Sequence, residues 1–528
     1  MSHVIILPII LPLLGAVLSL AGHRRGTRFS RTVLLSCGAI LALVSILLLE
    51  RAGSGAITVY ALGNWPAPFG IVLVLDRLAA IMVTLTSAVA LPAMLYAAGG
   101  ADTRGRHFHA LFLMQIAGVN GAFLAGDLFN LFVFFEVLLL ASYGLLLHGN
   151  GLPRARAGLA YVVVNLVGSS LFLIALGLTY GMLGTLNLAD IAVALPRVAD
   201  DARAVVRAAC ALLAVVFCLK AALLPLSLWL PHAYGAASAP AAAIFAILTK
   251  VGVYALLRVS VIGFDAADFT ADLLQPWLGP VALATIAWGT VGVLAARRLA
   301  EVVGYLVVVS TGTLLVTIAA GGDGRNGAAA LFYLLHTTLA SAAFFLLVDR
   351  IAAARGGAGD FLDIRGRAED GGSLALGFLL LAVTMSGMPP FSGFIAKVMV
   401  LRAVQFDALG AATWVMLIAS GLIAMVVMAR AASALFWEAA PADDALPAPA
   451  SVSSAPAVQS GPIPTPVPAS PRELLAVGLS IGLSLVLVVA ARPVSEQVAL
   501  AADQLLARQP YISAVLGPAP HIPLERRP

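Results

Sequence analysis

The chain is predicted to be an all-α polytopic membrane protein with about fourteen transmembrane helices. Three observations carry that expectation. Of its 528 residues, 61% are hydrophobic and only 11% are charged, against roughly 25% charged residues in a soluble globular domain. Mean hydropathy is +1.01. Apolar runs of about 18–25 residues, the length a helix needs to cross hydrocarbon, recur along nearly the whole sequence.

In chain order the runs lie near 4–21, 31–50, 71–98, 107–126, 128–148, 157–183, 204–230, 238–261, 276–296, 300–320, 326–351, 373–402, 410–437 and 472–491. The first lacks a positive leading region and its apolar core is too long for an ordinary signal peptide, so it reads as a span. Short links such as "GD" at 126–127 require antiparallel neighbours. Residues 439–471, rich in Pro, Ala and Ser, hold too few large apolar side chains to fold and read as a disordered linker. The tail after 491 reads as interfacial, or as ordered by a partner.

Arginine sets the orientation. Arg24, Arg25, Arg28 and Arg31 fill the first loop, and every second loop after it is also basic. These are Arg104 and Arg106, Arg154 and Arg156, Arg297 and Arg298, then Arg350, Arg355, Arg365 and Arg367. The positive-inside rule puts this set in the cytoplasm and both termini outside, on the periplasmic face of a bacterial inner membrane. The segment 196–207 fits poorly, because Arg197, Arg203 and Arg207 fall on the outer side. Asp200 and Asp201 beside them suggest an interfacial amphipathic turn.

Several function classes are excluded. The net charge of +5 comes from loop arginines, so it does not indicate a nucleic-acid partner. Cys37, Cys210 and Cys218 sit in apolar runs, with no CxxC pair. No phosphate-cradling loop, flavin signature or metal-ligand cluster appears. No cofactor and no metal site are assigned, and the chain does not read as an enzyme.

The informative residues are the ionisable ones inside the spans: Glu136, Lys220, Lys250, His336 and Lys397. A charge at the bilayer centre costs at least roughly 2.5–3.5 kcal/mol, so such groups usually face a bundle interior or a wet path. Only three lysines occur in the chain, and all three lie in apolar segments, while the other 28 basic residues are arginine. Arginine keeps its proton in almost any setting, whereas a buried lysine can release one. The three lysines therefore read as proton-exchanging groups, with Glu136 and His336 completing the set. Competing readings are snorkelling for Lys250 and Lys397, a structural ion pair for Glu136 and a hydrogen-bonded core histidine for His336.

Two spans carry internal prolines in a shared pattern. "LLPLSLW" at 223–229 and "MPPFSGF" at 388–394 both contain Pro-x-Ser followed two residues later by an aromatic. Pro225, Pro389 and Pro390 are predicted to break their helices. Paired breaks in two halves are a pointer to a transporter built of repeats. Ser227, His232, Thr249, Ser341 and Ser392, with Ser310, Thr311, Thr337 and Thr338, are candidates for holding water along the same spans.

These residues carry a resemblance. "GDLFNLFVFFEVLLLASYGLL", "LKAALLPLSLWLPHAYGAASAPAAAIFAILTKVGVYAL", "FYLLHTTLASAAFFLL" and "SGMPPFSGFIAKVMVL" resemble the D-type subunits of the multisubunit Mrp-type (Mnh, Pha) cation/proton antiporters. These are related to the antiporter-like subunits of respiratory complex I. The resemblance spans about residues 70–435. It implies fourteen helices, two inverted five-helix repeats and broken helices seven and twelve. The implied division is 1–106 for helices 1–3, 107–261 for the first repeat and 262–438 for the second. The linker 439–471 and a last helix with its tail, 472–528, follow. It also implies that Glu136 and Lys220 form the coupling pair, with Lys250 and His336 continuing a central polar axis that Lys397 ends.

Two positions depart from the complex I pattern. Ser341 stands where related subunits often carry lysine, and Lys397 where one of them has glutamate; the latter favours the D-type antiporter family. The lack of a long C-terminal lateral helix is unlike the largest subunits. The function so implied is proton translocation that drives export of Na+ or K+, with antiporter subunits of A/B, C, E, F and G type and membrane lipid as partners. The alternatives are a proton-pumping subunit of complex I or of a membrane-bound hydrogenase, and a scaffold whose lysines form only structural pairs.

Overall fold

A computed structural model describes residues 2–65, 69–321, 324–364, 366–368, 371–405, 408–437 and 467–517. Arg365 and all of the expected linker except 467–471 lie outside the described residues. The first helices are α1 (Leu7–Ala21) and α2 (Thr27–Gly53), followed by a hairpin of β1 (Thr58–Ala61) and β2 (Val72–Leu75). Next come α3 (Arg77–Ala97), α4 (Phe108–Leu124), α5 (Leu128–Leu146), α6 (Leu152–Leu183) and the short α7 (Leu188–Ala194). The middle of the chain holds α8 (Arg203–Ala221), α9 (Leu230–Ala236), α10 (Ala239–Phe245), α11 (Leu248–Ile262) and α12 (Asp268–Ala271). Then follow α13 (Gln275–Ala295), α14 (Leu299–Ala319), α15 (Gly324–Ala354), α16 (Gly371–Ser386), α17 (Ser392–Val404) and α18 (Gly410–Ala432). Last are α19 (Pro471–Val489), α20 (Ala491–Leu506) and α21 (Arg508–Leu516).

Among the described residues, twelve helices are long and apolar enough to cross a bilayer, while α4 and α16 are apolar but shorter. The expectation of about fourteen spans counted both as full crossings. It also began the third span at 71, whereas "VLVL" is strand β2. Asp76 explains the difference. Its carboxylate accepts from Ala79 N at 2.8 Å and caps α3, so the β-branched residues before it pair with β1 instead.

The bundle is built by small residues. A Cβ on Gly118 would stand 2.7 Å from Leu138 N, so α4 and α5 pack backbone against backbone across their three-residue link. α11, α14 and α15 are buried along nearly their whole length, whereas α1, α2, α6, α18 and α19 present leucine, valine and isoleucine outward. The first set forms the centre and the second the lipid-facing wall.

Ion pairs tie the loops at both ends. Asp102 accepts from Arg31 Nε at 2.6 Å and Arg31 Nη2 at 2.7 Å, with His109 Nε2 at 2.9 Å, which joins α2 to the start of α4. On the opposite side, Arg203 pairs with Asp200 and Arg207 with Asp272 at 2.7 and 2.8 Å. Two of the three arginines that fitted poorly with the orientation rule, Arg203 and Arg207, are thus balanced by acids.

The C-terminal tail is ordered by its own chain. α20 buries Val498, Ala501, Ala502 and Leu505, and Gln504 accepts from Arg77 N at 2.9 Å while donating to Gly55 O at 2.8 Å. α20 therefore crosses the ends of α3, α11 and α15, and α21 lies against α7 and β1, on the side away from the basic loops.

Burial pushes the Asp102 carboxyl up, but hydrogen bonds from Arg31 and His109, and their charges, outweigh it and hold the group at about 2. A carboxylate so depressed adds stability above its unfolded value, lost as pH falls through the folded one. Asp102→Asn is expected to cost about 2 kcal/mol at neutral pH, with the difference from wild type shrinking between about pH 4 and pH 2. Thermal unfolding in detergent at both ends of that range checks it.

Candidate functional site

Two broken helices position the site. α8 ends at Ala221, where Ala222 adopts the left-handed conformation (φ 62°). Ala222 N then bonds Leu219 O at 3.0 Å and Leu223 N bonds Cys218 O at 2.9 Å, a Schellman-type closure. Pro225 has no N–H to continue the helix, and the chain resumes as α9 only at Leu230. α16 ends in the same way. Gly387 is left-handed (φ 80°), Met388 N bonds Val383 O at 3.2 Å, and α17 starts at Ser392 after Pro389 and Pro390. In both breaks the left-handed residue precedes a cis proline by three positions and a serine by five (Ala222, Pro225, Ser227; Gly387, Pro390, Ser392).

Closing α8 at Ala221 leaves Lys220 in its last turn, where the helix carbonyls favour a cation. Its Nζ donates to Asn165 O at 3.3 Å and to Ser169 Oγ at 3.4 Å, and lies 5.9 Å from the Phe135 ring centroid. Ser169 in turn donates a short hydrogen bond to Glu136 Oε1. Among the described residues there is no direct Glu136–Lys220 ion pair, and Ser169 stands between the two. Lys220 is buried, whereas Glu136 is half-exposed on the outer wall of α5, on the face that also exposes Phe129, Val133 and Leu140.

Lys250 is fully buried and donates to Ser310 Oγ on α14 at 2.8 Å, and that hydroxyl donates to Val307 O at 2.7 Å. His336 Nδ1 lies 3.0 Å from Ser392 Oγ, at the start of α17. Lys397, partly buried, donates to Ser386 O at 2.8 Å across the second break. Neither Lys250 nor Lys397 has an acidic partner among the described residues. The groups stand on a series of mutually packed helices, α5, α6, α8, α11, α14, α15 and α17.

The hydroxyls expected to hold water divide. Ser227, Thr249 and Ser341 are buried with no partner on their oxygens among the described residues, and Ser392 is taken up by His336. His232 is exposed on α9, with Nδ1 3.9 Å from Glu301 Oε1. The neighbouring Glu301 carboxylate raises its pKa, against the lowering from partial burial. Trp229 Nε1, Tyr234 OH and Ser238 Oγ are also buried without partners around the first break. Buried polar groups of this kind call for water or a ligand. Tyr234 lines a cavity of about 270 Å³ on the side of the basic loops, together with Arg154, Arg298, Asp349 and Asp360.

Sequence reasoning missed Ser169, which "GSSLF" does not distinguish from a packing serine. It also missed an irregular turn at Ala246–Ile247, three residues before Lys250, which no proline or glycine marks. Arg258 was missed as well, although an arginine in the same span as Lys250, two turns beyond it, was a visible signal.

Residues 125–437 match the family described as NADH:quinone oxidoreductase/Mrp antiporter, TM. A protein of Rhizobium meliloti (strain 1021), named as the probable D component of a K(+)/H(+) antiporter, is 41% identical over 471 residues, covering 83% of this chain and 87% of its own length. An antiporter component of Staphylococcus aureus (strain JH9) named mnhD2 is 34% identical over 405 residues, covering 76% of this chain and 80% of its own. A chain in the Mrp complex from Dietzia sp. DQ12-45-1b superposes with a TM-score of 0.81 at 29% identity, over 98% of this chain and all of that one. A chain of an archaeal membrane-bound sulfane sulfur reductase shares the fold, with a TM-score of 0.83 at 23% identity over 97% of this chain and all of that one.

The backbone at Lys220 leaves no slack. A Cβ on Gly252 would stand 2.5 Å from Ala221 N and 2.7 Å from the Lys220 carbonyl carbon. Gly252→Ala is expected to destabilise the fold by about 1–3 kcal/mol, as overpacking does. Gly177→Ala on α6, where the new methyl group meets open space, is expected to leave thermal unfolding unchanged or slightly raised.

Proposed function

The chain belongs to the NADH:quinone oxidoreductase/Mrp antiporter family, and from that premise we propose that it is the D-type, proton-translocating subunit of a multisubunit Na+ or K+/H+ antiporter. On this reading it is a secondary transporter subunit of a bacterial inner membrane, with its termini outward. The observation that carries the proposal is the Glu136–Ser169–Lys220 bridge at a helix break, continued by Lys250, His336 and Lys397 on packed neighbouring helices.

The bridge suits proton exchange. Ser169 gives its proton to the Glu136 carboxylate while accepting from the Lys220 ammonium, so one hydroxyl couples the two charges. With Glu136 ionised, Lys220 is held protonated; when Glu136 is neutralised or moves away, the ammonium loses its support and its proton passes on. Lys250, His336 and Lys397 are the later stations. Each is held by a hydroxyl or a carbonyl, partners weaker than a carboxylate, which leaves its proton free to exchange. Water at Ser227, Thr249 and Ser341 completes the relay on this reading, because those hydroxyls have no partner among the described residues.

Two repeats, 107–261 and 262–438, underlie this arrangement, and the matching closures at Ala222 and Gly387 support them. Glu136 lies half-exposed on an apolar face, which suits a neighbouring membrane subunit. The partners on this reading are antiporter subunits of A/B, C, E, F and G type; the names of the relatives, each a subunit of an antiporter, support only that other subunits exist. Each elementary charge crossing the membrane supplies roughly 2.3 kcal/mol per 100 mV, enough to drive electrogenic exchange.

Glu136→Ala and Lys220→Ala are each expected to abolish antiport, read as dye quenching in everted vesicles, while the complex still assembles. Robust antiport in either would reject the assigned roles. Ser169→Ala removes a hydrogen bond between charged groups and is expected to slow exchange by roughly tenfold. Ser169→Thr, which keeps the hydroxyl, is expected to retain more activity than the alanine variant.

A further inference from the structure

One buried charged cluster takes no part in the relay. Lys250, Tyr254 and Arg258 recur every four residues on α11, so they share one stripe of the helix, each step rising about 6 Å. In sequence this stripe looks like a path from Lys250 to the side away from the basic loops. The hydrogen bonds say otherwise. Arg258 Nη2 donates to Asp76 Oδ1 at 2.8 Å, and Nη1 makes a short bond to Oδ2. Arg258 Nε and Nη2 also donate to Tyr254 OH, at 3.2 and 2.9 Å, and Tyr254 gives its own proton to Phe123 O at 2.6 Å.

A phenolic hydroxyl has one proton to give and two lone pairs to fill, so that of Tyr254 is saturated. Neither Lys250 nor a water can bond it without breaking one of these contacts. Asp76 is occupied by Arg258 and by Ala79 N. Asp76, Tyr254 and Arg258 are all buried, and the guanidinium lies 5.6 Å from the ring centroid of Tyr511, itself buried on α21. Lys250 meanwhile donates to Ser310, sideways from the stripe.

We propose that the Asp76–Arg258–Tyr254 cluster, lidded by Tyr511, is a proton seal that closes Lys250 off from the side opposite the basic loops. A proton on Lys250 then leaves only laterally, through α14. A fixed arginine placed across a path excludes protons electrostatically, and it has no proton of its own to pass on. The proposal rests on the reading that Lys250 carries protons.

The test uses the whole complex in proteoliposomes, with a pH-sensitive dye and no Na+ or K+ gradient. Asp76→Ser combined with Arg258→Ala keeps a cap on α3 and opens a water-sized space. It is expected to leak protons at least about tenfold faster than wild type, and adding Lys250→Ala is expected to abolish the leak. An assembled double variant as tight as wild type, or a leak that survives Lys250→Ala, would overturn the seal. Should the double variant not assemble, Tyr254→Phe decides: the seal predicts intact antiport and no leak. Loss of antiport in an assembled Tyr254→Phe complex would make the hydroxyl a relay and the proposal wrong. Failure of the underlying reading is separate, since wild-type antiport in Lys250→Ala alone would remove Lys250 from the relay whatever the leak assay shows.

Discussion

A helix that ends inside hydrocarbon leaves its last carbonyls without partners, and no lipid can supply them. α8 meets this problem by turning left-handed at Ala222 and folding two amides back onto Leu219 and Cys218. Much of the site follows from that closure. It sets Lys220 in the last turn, against the negative end of the helix. It brings the Lys220–Ala221 backbone to Gly252, which fixes α11 and hence Lys250. It also opens the non-helical stretch 222–229, where Ser227 and Trp229 keep polar atoms without protein partners. α16 solves the same problem with Gly387. A Cβ there would stand 2.5 Å from Lys397 Cδ, so the glycine both turns the chain and makes room for the lysine.

The choice of partners matters as much as position. Breaking a buried ion pair costs about 3–5 kcal/mol, a barrier to any cycle that must open it at each turnover. Lys250 and Lys397 use a serine hydroxyl and a backbone carbonyl instead, and Lys220 meets Glu136 only through Ser169. Arg258 contrasts with them. It has a bidentate carboxylate and a saturated tyrosine, the arrangement expected of a charge that stays put. Lys250 and Arg258, two turns apart on α11, are thus buried cations of two kinds.

Much of this was legible in the sequence because a bilayer punishes exceptions. Apolar runs, three lysines confined to them and a Pro-x-Ser pattern shared by two of them stand out against a background with few charges. Ser169 was not legible, because serine packs in membrane helices for many reasons and only its place between Glu136 and Lys220 singles it out. β2 was misread as helix because "VLVL" is apolar in either conformation, and the deciding residue was the Asp76 cap that follows. The tail after 491 reads as interfacial or as ordered by a partner. Its docking depends on glycines 324 and 327, which let α20 lie against α15 and which no local pattern in the tail reveals.

The ends of the polar series differ from its middle. Lys250 and His336 are buried deep in the bundle, whereas Glu136 is half-exposed on the α5 wall and Lys397 is only partly buried. A carboxylate at bilayer depth on an apolar face has poor solvation if lipid covers it, and Ser169 satisfies only one of its oxygens in the contacts described. Covering that face with another polypeptide would shield the carboxylate and supply further donors. An axis closed in the middle and open at its ends is what a unit working in series with a neighbour requires. The physical reason lies in where burial stops along α5 and α17, independent of any likeness to other proteins.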